Sequence, residues 1–193
     1  QVGKPVEAVQ FAQEAAALAD RVHPGNSIRR ARIYNNLGSL LATANRMGDA
    51  VAAFGVAEAI YRAQGDEDSP AFAALVHNRG VQLRDLGAAE LGLPLIEQAH
   101  AMASAQFGPA DRRTLIALRN VAYARADASR DPGAEREWRE VERLAPAEQA
   151  PLERFSLLLV GAHIAATLGD GRAAAQRVAE ALALVEAHAL EIA

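Results

Sequence analysis

The sequence predicts an all-α fold, an α-solenoid of antiparallel helix pairs with about nine helices. Three observations predict it. Small residues recur at Ala8, Ala50, Gly92, Ala134 and Ala174, at intervals of 42, 42, 42 and 40 residues. A second ladder lies upstream of them at Gly38, Gly80, Ala122 and Ala162, spaced 42, 42 and 40. Between the ladders, Asn45, Gly87, Ser129 and Gly169 mark turns with the same spacing. Glycine and asparagine tolerate the left-handed conformation that ends a helix. Each unit is therefore a helix, a tight turn and a second helix. A single helical pair cannot bury its apolar stripe, so the units must stack.

The elements follow in order. A first helix over 5–22 carries Ala8 and lacks a partner of its own, and Gln1 is not a natural start; both predict a piece of a longer protein. Helices over 27–44 and 47–64 form the first full unit, with Gly38 in one and Ala50 and Phe54 in the other. Helices over 70–86 and 88–106 follow, with Gly80, Gly92 and Ile96. Pro94 falls inside the second of these and is expected to bend it, because proline lacks the N–H of the helical ladder. The third unit has helices over 111–128 and 132–144. Asp131 suits a cap there, with Pro132 in the first turn, and Trp138 fills the large-residue slot as a core side chain. Pro146 cuts that helix short, which fits the 40-residue interval. Helices over 148–168 and 171–190 close the chain, with Ala162, Ala174 and Val178. The array is thus 1–25 (the second helix of a truncated repeat), 26–68, 69–110, 111–147 and 148–193.

Composition agrees. Half of the 193 residues are hydrophobic but only 5% are aromatic, and much of the apolar content is alanine. An alanine core needs backbones in close approach, which favours helix against helix. The net charge is −4 with mixed signs, and no basic stripe with interleaved aromatics points to nucleic acid. The longest apolar run, Leu157–Gly169, contains His163 and is too short to span a bilayer. No signal peptide opens the chain. Cysteine is absent, which excludes disulfides and thiolate metal sites. A cytoplasmic location is expected, and a periplasm suits the composition equally well.

The pattern resembles the tetratricopeptide repeat family. Leu37-Gly38, Ala50, Phe54 and Ala57 carry it in the first full unit, and Val121-Ala122, Ala134 and Trp138 in the third. The longer period is similar to the kinesin-light-chain type, whose units carry an extended connector. The connectors here are His23–Ser27, Gln64–Pro70 and Phe107–Thr114. The resemblance covers almost the whole chain. It implies a superhelix whose first helices line a concave face that binds protein. For a bacterial protein it also implies neighbouring kinase, nucleotide-binding or DNA-binding domains, and the alanine- and arginine-rich usage is compatible with a GC-rich bacterial genome.

Asparagine is a mediocre helix former, yet Asn36, Asn78 and Asn120 share one phase of the first helices, spaced 42 and 42. The resemblance implies that amides at this phase hold the backbone of a bound extended peptide. A carboxamide offers donor and acceptor together, so it can pair with a peptide group whatever the side chains are. The alternative is that these amides tie neighbouring helices together or face water. Asn35, His77 and Arg119 lie one position earlier, and Ser39, Tyr123 and His163 lie about one turn further on. Arg32 and Arg84 fall on nearby phases. Three arginines, Arg32, Arg84 and Arg119, predict a ligand with carboxylates or a free C-terminus, although Asp85 and Asp127 lie near the same rim. The alternative for the arginines is salt bridging within the array.

No enzyme, cofactor or metal is expected. The five histidines His23, His77, His100, His163 and His188 are scattered, Gly169–Gly171 is a turn between helices, and no serine has an elbow-type glycine context. Glu135, Glu137, Glu140 and Glu142 read as a solvated face. Besides a peptide-binding module, two further readings remain open. One is self-association or docking of a neighbouring domain through 182–193, where Leu182, Val185, Leu190 and Ile192 lack an obvious polar cap. The other is an intramolecular sensor regulating an attached effector.

Overall fold

The computed structural model describes residues 3–22, 25, 27–146 and 150–189. The described residues form helices and turns without a strand. The helices are α1 (Gly3–Val22), α2 (Ile28–Thr43), α3 (Met47–Ala63), α4 (Pro70–Asp85), α5 (Ala89–Phe107), α6 (Arg112–Ser129), α7 (Gly133–Leu144), α8 (Pro151–Thr167) and α9 (Gly171–Ala189). They fall into two compact units, Gln1–Ala103 and Ser104–Ala193. His23, Leu190 and Ile192 lie outside the described residues.

Four of the turns share one hydrogen-bond scheme. Asn45 takes a positive φ of 59°, its N–H donates to Ala42 O, and the Arg46 N–H donates to Leu41 O. Gly65, Gly87 and Gly169 repeat this pattern after α3, α4 and α8. Each turn satisfies carbonyls that the helix end leaves orphaned. The turn after α6 departs from expectation. Ser129 stays helical and Arg130 takes the left-handed position, with φ 51°. Its N–H donates to Ala126 O, a single-bond ending that shifts the turn by one residue. Asp131 then caps α7 by accepting from the Gly133 N–H at 2.7 Å, and Pro132 stands before the helix rather than in its first turn. α5 runs unbroken through Pro94.

The small-residue ladders mark close approach. In the first unit a Cβ on Gly38 would lie 2.6 Å from the Phe54 ring, so only glycine lets α3 nest on α2. On α4 and α5, a Cβ on Gly80 would meet Ile96 at 2.7 Å and the Gly92 carbonyl at 2.8 Å. Phe54, Ile60, Tyr61, Phe72, Leu75 and Val76 are almost wholly buried there, each contributing about 1.5–3 kcal/mol on burial. Tyr61 and Phe72 meet edge to face, 6.0 Å apart, where the end of α3 passes the start of α4.

In the second unit the large residue is Trp138 of α7. Its ring fills the space over Gly161 of α8, where any Cβ would overlap it. Its Nε1 donates to Leu157 O at 3.1 Å. Arg177 of α9 lies 3.7 Å over the same ring, donates to Gly161 O at 2.7 Å, and pairs with Glu135 of α7 at 2.5 Å. Glu135 is therefore part of this interior lock and not simply one of a solvated row. Burial pushes the Glu135 carboxyl up, but its bonds to Arg177 and Arg139 outweigh this and hold it below the usual range.

Candidate partner-binding surface

First helices stack on first helices within each unit: α2 on α4, and α6 on α8. This places the expected contact residues on adjoining helix faces, and each unit presents its own set.

In the first unit, α2 supplies Asn35, Asn36 and Ser39, and α4 supplies His77, Asn78 and Arg84. Asn36 is exposed, Asn78 and His77 are half-buried, and Asn35 is half-buried with its Oδ1 enclosed and lacking a hydrogen bond. The Ser39 hydroxyl donates back to Asn35 O at 3.1 Å, a local bond that holds the side chain against its own helix. The Arg84 side chain is only 9% exposed and pairs with Asp85 at 2.6 Å. Its charge is thus largely spent within the unit. Nearby, Arg79 binds the buried carboxylate of Glu58, which also pairs with Arg62 at 2.6 Å.

In the second unit, α6 supplies Arg119, Asn120 and Tyr123, and α8 supplies His163. Asn120 is buried, at 9% exposure, unlike Asn36 at the same repeat phase. His163 joins the helices: its Nε2 lies 2.6 Å from Asp127 of α6, and its ring meets Tyr123 edge-on at 4.3 Å. Arg119 donates to the Ser156 hydroxyl of α8 at 3.2 Å.

The sequence did not foretell a cavity on this face. It measures about 320 Å³ and lies at the starts of α6 and α8, beside the end of α7. Leu115, Ile116, Val141, Leu152 and Leu157 form its walls. Arg119 and Ser156 stand on its rim, with the Arg112–Glu153 ion pair of 2.7 Å. The signal in the sequence was the short α7, 12 residues against 17 in α3 and 19 in α5. Among the described residues no group of three metal-ligating side chains occurs, and no helix is long and apolar enough to cross a membrane.

Residues 1–63 match the tetratricopeptide repeat family. A search of curated protein sequences finds no significant match. Among solved structures, the chain is similar to BtubC (BKLC) from P. vanneervenii, with 17% identity and a TM-score of 0.76 over 96% of this chain and 74% of that one. It is similar to a single-substitution form of the "Podosopora anserina putative kinesin light chain nearly identical TPR-like repeats", at 16% identity and a TM-score of 0.80. That match covers 100% of this chain and 91% of that one. It is also similar to the Rap conjugation gene regulator of the plasmid pLS20 in complex with the Phr* peptide. There the identity is 14% and the TM-score 0.66, over 95% of this chain and 49% of that one. At such identities the likeness is one of fold.

Proposed function

We propose that this chain, whose fold is that of the kinesin-light-chain-like tetratricopeptide repeat arrays, is a protein-interaction module whose first helices take an extended segment of a partner. The observation that carries the reading is the direct stacking of α2 on α4, with Asn36 exposed and Asn78 half-exposed at one repeat phase. Amides so spaced suit a main chain, since each offers both a donor and an acceptor. Arg119, Tyr123 and His163 make the corresponding surface of the second unit. The solved complex of the Rap regulator with a peptide supports the reading by analogy of fold. An acidic or C-terminal ligand is favoured less than the three arginines suggested, because Arg84 is paired with Asp85 and Arg119 is engaged with Ser156.

A random-peptide display screen tests this, run on the wild type and on the Asn36→Ala/Asn78→Ala double variant. The substituted side chains are not deeply buried, so the variant should fold. Enriched peptides are expected to bind it about tenfold more weakly, about 1.4 kcal/mol. Equal enrichment on both proteins would remove the asparagine ladder from the proposal.

A second reading has its own observation. On α9, Val178, Leu182 and Val185 are 41%, 56% and 50% exposed, a stripe that self-association would cover. Sedimentation at two concentrations separates it from peptide binding: a mass that doubles and reverts with Leu182→Glu favours assembly.

A further inference from the structure

The cavity beside α7 occupies a place that the first unit fills with aromatic rings. Tyr61 stands seven residues after Phe54, and Ala145 seven after Trp138, so they share a repeat register. Phe72 precedes Gly80 by eight residues and Arg154 precedes Ala162 by eight, so these also correspond. Where the first unit sets Tyr61 against Phe72, the second has a methyl group and a charged chain. Arg154 is turned away, held by Glu142 at 3.1 Å. Ile116, at the register of Arg32, lines the cavity.

At the end of the shortened α7, alanine and arginine thus stand where the first unit sets its two rings, and the cavity there is an open socket. We infer that this socket receives a phenyl or phenol ring from the bound partner, so that the partner supplies a ring where the first unit supplies its own. The inference rests on the interaction reading above and names the anchor residue of the ligand. About 320 Å³ stands at the low end of the ~300–1,000 Å³ of small-ligand sites. That suits one ring with its adjoining backbone better than a large cofactor. The walls are apolar, while Ser156, Arg119 and Glu153 at the rim offer hydrogen-bond partners to a hydroxyl. The rim is continuous along α6 with Tyr123, so a chain crossing that surface would pass the socket. A ring buried in a desolvated pocket and ringed by polar groups is the usual form of an interface anchor.

The test titrates the whole chain with N-acetyl-tyrosinamide, and in parallel with N-acetyl-alaninamide, following the methyl NMR signals of Leu115, Ile116, Leu152 and Leu157. The tyrosine compound is expected to shift these signals saturably and the alanine compound to leave them still. Ala145→Phe fills the socket from within. It is expected to melt no lower than the wild type and to weaken tyrosinamide binding about tenfold, about 1.4 kcal/mol. Leu152→Ser, at a position 77% exposed, should fold normally and also weaken it. Absence of shifts, or unchanged affinity in both variants, overturns the inference. The Asn36→Ala/Asn78→Ala variant separates the two proposals. Tyrosinamide binding unchanged there beside lost peptide binding supports both, and lost peptide binding with no ring binding in any form sinks this one alone.

Discussion

At the residue scale, the second unit depends on one missing methyl group. Gly161 leaves room for the Trp138 ring, and the ring in turn carries Arg177, whose guanidinium bonds the Gly161 carbonyl and the Glu135 carboxylate. A Cβ at this position would overlap the indole, and the indole has no slack because its N–H is tied to Leu157 O. Overpacking a filled site costs about 1–3 kcal/mol. Gly161→Ala is therefore expected to lower the urea midpoint by an amount equivalent to about 2 kcal/mol or more. Gly55→Ala, at a half-buried position of α3 where nothing lies within 4 Å of the added carbon, should hold or raise it, since alanine is the better helix former. A Gly161→Ala protein as stable as the wild type would mean that Trp138 is not locked as described. Part of this was legible: the repeat phase marked Trp138 as a core residue. The partner was not, because the ladder pointed to Ala162 and the contact falls one residue earlier, across from α7 to α8. Arg177 was invisible for a related reason. An arginine on an alanine-rich helix reads as solvent-facing until the aromatic face beneath it is known.

At the scale of the element, the helices were legible almost to the residue, because two ladders in phase fix both halves of each pair. What strayed were the places where local chemistry overrides the period. Ser129 yielded the left-handed position to Arg130, since the cap at Asp131 sets where α7 begins. Cap chemistry also gives α6 a dependence on pH. Asp111 accepts from the Arg113 guanidinium and from the Arg113 backbone N–H, and these bonds pull its carboxyl down from 3.8 to about 2. A folded-state pKa below the unfolded one contributes stability that is complete above the unfolded value. That stability is lost as pH falls through the folded one. Asparagine caps a helix nearly as well but cannot titrate or pair with a cation. Melting temperatures of the wild type and Asp111→Asn are therefore expected to differ modestly near neutral pH, because the pair is exposed and screened. The gap should close as pH drops from about 4 to about 2. A gap that persists unchanged into acid would show that Asp111 stays unpaired in solution.

Across the whole molecule, the two units carry unequal cores. Gln1–Ala103 buries Phe54, Tyr61, Phe72, Leu75 and Ile96 almost completely. Ser104–Ala193 has one large aromatic in its core, Trp138, and keeps the empty socket beside the shortened α7. Unfilled apolar walls forgo dispersion contacts that a plugged core retains, so the second unit should be the weaker. Repeat arrays are stabilised mainly by neighbour-to-neighbour interfaces and need not unfold as one body. The chain supplies its own reporter, because Trp138 is the sole tryptophan and lies in the second unit, whereas far-UV circular dichroism reports helices of both. In a urea titration the fluorescence midpoint is expected to fall below the circular dichroism midpoint. An aromatic compound bound in the socket should move the fluorescence transition upward, since a ligand of the folded state alone stabilises it by mass action. Ala145→Phe should do the same without ligand. Coincident transitions in the wild type would mean that the units unfold together, that the socket is no weak point, and that the difference between the two cores does not set their stability.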